Sequence, residues 1–348
     1  MQKKKADFII IGQGLAGTLL AHELIERGKS VIVFDKPELS QASKIAAGIW
    51  NPVVFKRLTK SWMIDRLLPK MTDRYEKIAS RLGVDSFVSA KQYFKIITSE
   101  NEKIFWQSKA SSEMSTYLCA EIKNVKLKKN YEVGEVVNAG NLDIKRFLDQ
   151  SRNFFQKKNI LLEDALDYSQ ILFKENEIEI NSSTADKIIF CEGHKITQNP
   201  FFNFVAMKPV KGEIVTIKSE SLFTEAIINK GIFILPLKQK GFYKVGATYN
   251  WEELSDIPTK EGTESILSKL REIIDASFEV MQVDAGVRPS VSDRRPIIGK
   301  HPTNEKLWVF NGLGTKGVMI GPYFAELTAN AICDNQSIPE EVNVERFL

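Results

Sequence analysis

Four residues near the start of the 348-residue chain are spaced to do chemistry together. They are Gly12, Gly14 and Gly17 in Gly12-Gln13-Gly14-Leu15-Ala16-Gly17, and Asp35, 18 positions after the third glycine. Glycines spaced in this way, followed by an acid, form a loop that holds the pyrophosphate of a dinucleotide. Gly12 permits the tight turn, Gly14 leaves no Cβ between backbone and phosphate, and Gly17 lets the following helix pack close to the strand. That helix, opening at Leu15 and Ala16, presents unpaired N–H groups and the positive end of its dipole. Asp35 is placed to accept a hydrogen bond from a ribose hydroxyl, which favours FAD or NAD over NADP; its plainer reading is a polar residue at a strand end. Near the other end of the chain, Arg288 in Gly286-Val287-Arg288-Pro289 can offer two parallel N–H donors to a carboxylate. The plainer reading of Arg288 is a structural salt bridge.

The elements that must hold the glycines in place are legible around them. Phe8-Ile9-Ile10-Ile11 is a short continuous apolar run of the kind buried on both faces of a parallel sheet. Leu19, Leu20 and Leu24 share one helical face, Gly28 terminates the helix, and Val31-Ile32-Val33-Phe34 reads as a second buried strand. A secretory signal also begins with lysines before an apolar run, but it would end in a small-residue cleavage site. Here the run continues into a charged helix and another strand, so the expectation is a cytoplasmic chain. Lys3-Lys4-Lys5 reads as a solvated tail.

Composition narrows the class. With 48 basic and 44 acidic side chains the net charge of +4 is too small to imply a nucleic-acid or membrane partner, and no apolar run is long enough to span a bilayer. Three cysteines without CxxC spacing, Cys119, Cys191 and Cys333, support neither a disulfide framework nor a metal site.

Farther along, residues 62 to 82 show helical spacing closed by Gly83, residues 91 to 98 and 121 to 137 look like strands, and Asn141 to Lys158 reads as a helix. Asn159 to Leu162 and Asp186 to Gly193 look like strands returning to the first sheet. Residues 209 to 283 are mostly strands, interrupted by a helix from about Thr259 to Ser277. Two further segments are informative. Ser40-Gln41-Ala42-Ser43-Lys44-Ile45-Ala46-Ala47-Gly48-Ile49-Trp50 is dense in small residues that let backbone lie against a flat ring. A strand at Leu307-Trp308-Val309-Phe310 leads into a second glycine turn, Asn311-Gly312-Leu313-Gly314-Thr315-Lys316-Gly317-Val318, and a helix with Pro322 near its first turn. Glycine turns at both ends suggest one long cofactor held from two sides.

Taken together, these segments make the chain similar to the D-amino acid oxidase/glycine oxidase family of FAD-dependent oxidoreductases. The resemblance is carried by GQGLAG with VIVFD, by ASKIAAGIWNP, by GVRPSVSDRRPIIG and by NGLGTKGVMIGP, and it runs over essentially the whole chain. It implies an α/β fold: a Rossmann-like FAD-binding domain of glutathione-reductase type, from residues 1–85, 140–205 and 285–348. An interleaved substrate domain, residues 86–139 and 206–284, would be built on a mixed, largely antiparallel sheet.

The resemblance also implies site residues. FAD would be held noncovalently by the first turn, by Asp35 and Lys36, by Ala42, Ser43, Ala46, Ala47, Gly48 and Ile49, by Leu166, Glu192 and Gly193, and by Gly312, Gly314, Thr315, Lys316, Gly317 and Val318. Val291, Ser292 and Asp293 offer no cysteine or histidine for a covalent link. Arg288 matches the family's carboxylate-binding arginine, and Lys316 would stabilise the reduced flavin. Trp50 would wall the substrate pocket, with Tyr243 and Tyr249 as further pocket candidates. Where family members carry a carboxylate-binding tyrosine, this chain reads Ile232-Phe233-Ile234, which departs from the pattern. His22, His194 and His301 read as packing or surface residues, and Cys191 as buried and inert.

The implied activity is oxidation of the C–N bond of a small amino acid or secondary amine to an imine, with oxygen or another acceptor taking the electrons. Two alternatives are kept: a tRNA-base-modifying flavoenzyme of the same fold, and a flavin-binding accessory protein without turnover. Oligomeric state is open.

Overall fold

The apolar run at residues 8–11 becomes the centre of a parallel sheet because both of its faces are covered. The computed structural model describes residues 4–36, 42–164 and 166–348; Lys3, Ser40 and Gln41 of the sequence reading lie outside them. Phe8 and Ile10 pack on one side with Leu19, Leu20, Leu24, Tyr75, Phe147 and Phe324. Ile9 and Ile11 pack on the other with Ile32, Phe34, Phe190, Phe202 and Val309. Alternate side chains of a strand point to opposite faces, so an unbroken apolar run requires two covers. Each buried isoleucine or phenylalanine is worth about 1.5–3 kcal/mol.

The strand Lys4–Ile11 pairs in parallel with Val31–Phe34 on one side and Ser183–Phe190 on the other. Leu161–Leu162 extends the sheet beyond Val31–Phe34, and Asn304–Asn311 joins the far half of Ser183–Phe190, both in parallel. Lys4 and Lys5 belong to the first strand, and the Lys4 Nζ donates to the Asn159 carbonyl at 2.8 Å, so these two do not form a solvated tail.

Seven α-helices lie among the described residues: α1 (Leu15–Glu26), α2 (Ala42–Ile45), α3 (Ile64–Leu82), α4 (Glu100–Ala110), α5 (Ile144–Lys157), α6 (Lys260–Ile273) and α7 (Gly317–Asp334). The sequence reading omits α4, although its start carries a signal. Ser99 caps it by accepting from the Glu102 N–H at 3.2 Å, and the Glu102 carboxylate reaches back to the Thr98 N–H at 2.7 Å, a one-residue variant of the capping box. α5 starts later than expected, at Ile144, because residues 140–142 pair as a short strand with Ile49–Trp50 and Val88–Ala90.

Pro322 lies in the second turn of α7, not the first. It has no N–H to give to the carbonyl four residues earlier, that of Val318. The buried hydroxyl of Tyr75 in α3 donates to that carbonyl at 3.0 Å, so a helix interruption is repaired by a neighbouring helix.

A second sheet is mixed and largely antiparallel. Its order is Glu279–Arg288, Val210–Lys218, Phe242–Gly246, Ile232–Pro236, Ile227–Lys230, Tyr93–Ile96, Asn130–Val136 and Leu118–Lys126, with one parallel pairing, between Ile227–Lys230 and Tyr93–Ile96. α6 covers one face through Ile266, Leu267, Leu270 and Ile273. The expected strand at 121–137 is a hairpin, Leu118–Lys126 and Asn130–Val136.

Candidate cofactor and substrate cavity

Between the two sheets lies one cavity of about 650 Å³ lined by both of them. From the first turn it takes Gly12, Gly14, Leu15 and Ala16. Gly12 has φ +98, and a Cβ there would stand 2.6 Å from the Cys191 carbonyl oxygen. A Cβ on Gly14 would meet only the Ser43 hydroxyl at 3.6 Å, so the space above it is open for a ligand. Gly17 does not line the cavity; its Cβ would fall 1.9 Å from the Gly12 carbonyl oxygen, so it serves the helix-to-strand approach. α1 starts without a side-chain cap and without an acid in its first turn, and α7 shares both features. The N-termini of two helices thus flank the cavity, an environment for phosphate and for an electron-rich ring.

Asp35 and Lys36 line the cavity where the second strand ends. Asp35 is held in place: it accepts from the Gln13 N–H at 2.9 Å and from Arg152 at 2.8 Å. Arg152, on α5, also reaches Glu163 at 2.6 Å, and no spacing in the sequence marks it. The small-residue segment contributes Ala42, Ser43, Ala46, Ala47, Gly48 and Ile49, and the loops after the strands Leu161–Leu162 and Ser183–Phe190 contribute Leu166, Glu192 and Gly193. Burial pushes the Glu192 carboxyl up, while the Tyr168 hydroxyl at 2.6 Å and the Asn199 amide at 2.7 Å donate to it. Cys191 also lines the cavity, with its thiol pushed well up by burial, and so does His194, whose imidazole burial holds below its ordinary range. His22 and His301 are packing residues, against Phe154 and Phe155 and against Phe202.

The second glycine turn supplies Gly314, Thr315, Gly317 and Val318. Gly312 and Lys316 are not in the lining. Gly312 faces Ile297 and Val291, where a Cβ would come within 3.0 Å of both. The Lys316 ammonium turns away to donate to the Ser61 hydroxyl. No carboxylate among the described residues pairs with it, and burial, with Arg294 nearby, pulls it down to about 8.

Lys316→Met is therefore expected to raise the melting temperature at neutral pH, since it removes a half-buried cation with no acidic partner among the described residues. A lysine depressed in the folded state costs stability as pH falls from its ordinary 10.5 through about 8. The advantage of the variant should accordingly shrink between pH 8 and 10.5, as read by melting scans. Flavin retained per chain, measured alongside, reports whether the ammonium also holds the cofactor.

Arg288, at the end of Glu279–Arg288, is the one arginine in the lining. Its guanidinium lies against the Gly212 backbone, so closely that a Cβ on Gly212 would be 2.0 Å from a terminal nitrogen. It donates weakly to the carbonyls of Lys211 at 3.4 Å and Thr248 at 3.3 Å, and the Tyr249 ring centroid is 4.5 Å away. Among the described residues no carboxylate forms a salt bridge with it, which removes the plainer reading of this arginine. Desolvation of the guanidinium lowers its pKa.

Tyr249 lines the cavity and is more than half exposed, stacked on Trp251. Phe233, Tyr93, Asn229 and Phe55 also line it; apart from Phe233, sequence reasoning missed them. Two candidates lie elsewhere. Trp50 packs on Gly140 and donates to the Asn138 carbonyl at 3.2 Å, because strand alternation sends its neighbour Ile49 to the cavity. Tyr243 is buried in the core of the second sheet and donates to the Leu222 carbonyl.

Comparison with known proteins places this geometry. The FAD dependent oxidoreductase family, DAO, matches residues 7–331. A glycine oxidase of Bacillus licheniformis is 23% identical over 96% of this chain and 94% of its own length. A tRNA 5-methylaminomethyl-2-thiouridine biosynthesis bifunctional protein of Leptospira interrogans is 23% identical over 97% of this chain but 59% of its own length. The crystal structure of glycine oxidase from Bacillus cereus superposes with a TM-score of 0.76 at 22% identity, covering 95% of this chain and 96% of that one. With the family matched across both glycine turns and everything between them, the chain belongs to the FAD-dependent oxidoreductases of the DAO family.

Proposed function

We propose that the protein oxidises the C–N bond of a small amino acid or secondary amine that carries a carboxylate. The observation that carries this reading is Arg288: a desolvated guanidinium with no acidic partner among the described residues, lining the same cavity as the two glycine turns. A bidentate receptor for a carboxylate is what such a group supplies. The flavin, when bound, supplies the two-electron acceptor for the substrate's α C–H.

The chain's own residues bind, orient and exclude water. Gly12, Gly14 and the start of α1 hold the phosphates, Asp35 the ribose, and the segment 42–49 with Gly314, Thr315, Gly317 and Val318 the ring. Val291, Ser292 and Asp293 after Arg288 support a noncovalent hold. Arg288 fixes the carboxylate, and Phe233, Tyr93 and Phe55 make the adjoining wall apolar. A dry, oriented pocket is most of what this chemistry asks of a protein. We assign FAD binding to residues 1–85, 140–205 and 285–348, and substrate binding to 86–139 and 206–284.

Anaerobic addition of glycine, sarcosine, proline and D-amino acids to the yellow protein tests the proposal. Bleaching of the flavin's visible band by at least one carboxylate-bearing amine is expected, and no bleaching by any would favour a non-catalytic role. Repeating the reaction in air identifies whether oxygen takes the electrons.

One observation favours the tRNA reading: the exposed Tyr249–Trp251 stack beside the cavity is a surface on which a base can stack. Against it, the segment that follows carries Glu252 and Asp256, which repel phosphates. Filter binding of bulk tRNA over a salt series separates the two; saturable binding that weakens steeply with salt would overturn the ranking.

A further inference from the structure

Lys211 is the most deeply buried charge that the chemistry above leaves unused. Its side chain is fully buried in the strand Val210–Lys218. Removing an ammonium from water costs several kcal/mol unless well-placed partners offset it. Here the partners are the Glu213 carboxylate at 3.8 Å on the same strand and, beyond it, the Glu253 carboxylate, the Ile257 carbonyl at 2.5 Å and the Ser255 hydroxyl at 3.4 Å. The last three belong to residues 249–259, the segment that leads from the strand Phe242–Gly246 to α6.

The main chain of Lys211 grips the same segment, donating to the Asn250 carbonyl at 2.8 Å and accepting from the Asn250 N–H at 3.0 Å. Glu213, two residues on, ties its far end by accepting from the Thr259 N–H at 3.1 Å and the Thr259 hydroxyl at 2.8 Å. Apolar burial cannot be what holds this segment down. Tyr249, Trp251 and Ile257 are 56%, 64% and 67% exposed and Leu254 37%, so three of its four large apolar side chains stay mostly in water. The ionic anchor does that work instead.

The anchor also reaches the site. The Lys211 carbonyl accepts from Arg288 at 3.4 Å, while Tyr249, at the start of the anchored segment, lies over the same guanidinium at 4.5 Å. We propose that Lys211 is a positioning residue: it fastens residues 249–259 so that Tyr249 stays on Arg288 and the guanidinium stays aimed into the cavity. This rests on the reading of Arg288 as the carboxylate receptor.

The test uses the flavin-loaded protein and two variants, Lys211→Met and Glu253→Gln. The second removes the ionic partner from the exposed side and keeps the buried lysine, in case the first does not fold. Three quantities are read: the rate of chymotrypsin cleavage at Trp251, the affinity for benzoate from its perturbation of the flavin spectrum, and KM and kcat for the best carboxylate-bearing amine. Cleavage should accelerate, benzoate should bind roughly tenfold more weakly, and KM should rise by a similar factor while kcat holds. A purely structural lysine would lower the melting temperature without that KM-selective change. Unchanged cleavage in both variants overturns the fastening, and faster cleavage with unchanged benzoate affinity overturns the link to Arg288. If the unaltered protein binds neither benzoate nor an amine carboxylate, the Arg288 reading fails and takes the positioning role with it, while cleavage still decides whether Lys211 fastens the segment.

Discussion

Arg288→Gln should lower kcat/KM for a carboxylate-bearing amine by roughly two to four orders of magnitude. A hydrogen bond to a charged group is worth about 1.5–3 kcal/mol. Losing two parallel ones to a carboxylate therefore removes about 3–6 kcal/mol, and each ~1.4 kcal/mol is a factor of ten. Little of this should be recovered elsewhere, since no other arginine among the described residues lines the cavity. Arg288→Lys should fall between the two, because it keeps the charge and loses the fork. An amine lacking a carboxylate provides the control: its kcat/KM should change little in either variant. Gly212→Ala should give a milder form of the same defect from behind, since the added methyl would stand 2.0 Å from the guanidinium. Equal losses on both kinds of amine would refute the carboxylate role.

The second large effect is expected at Gly17. Even alanine there places a Cβ 1.9 Å from the Gly12 carbonyl oxygen and 3.2 Å from an Ile10 methyl. Gly12 cannot yield, because its N–H donates to the Phe34 carbonyl at 2.8 Å and its own α-carbon faces the Cys191 carbonyl. Relief must come from moving α1 off the sheet, and overpacking of this kind costs about 1–3 kcal/mol or more. Gly17→Val should therefore yield protein that melts earlier and purifies with little or no flavin. The absorbance ratio of visible band to protein band, read after reconstitution with excess FAD, checks it. A variant that binds FAD normally would show that the close approach is not what shapes the phosphate loop.

Much of this was legible in the sequence because local pattern and long-range role coincide there. Residues 8–11 are apolar at every position, so they had to be covered twice, and glycines spaced 12, 14 and 17 have few other uses. What stayed hidden depended on partners distant in the chain. Arg152 meets Asp35 across 117 residues, with no spacing to announce it. Lys316 was expected at the cofactor and found on Ser61, because adjacent residues in a turn point different ways. Trp50 fell on the wrong side of a two-residue strand, too short to show alternation, and Gly140 makes its room, since a Cβ there would lie 2.6 Å from the indole. α4 was missed because its polar and apolar residues do not sort into faces, although its capping residues Ser99 and Glu102 were readable.

The interleaved order of the parallel strands has a consequence for biosynthesis. Neighbours of the strand Lys4–Ile11 include Ser183–Phe190, which in turn waits for Asn304–Asn311. At the usual ~5–20 residues per second, the first strand leaves the ribosome roughly 15 to 60 seconds before its sheet can be finished. Throughout that interval a sticky isoleucine run lacks part of its native covering, so nascent chains of this protein should be clients of ribosome-associated chaperones, and the cavity cannot be completed until the second glycine turn has emerged.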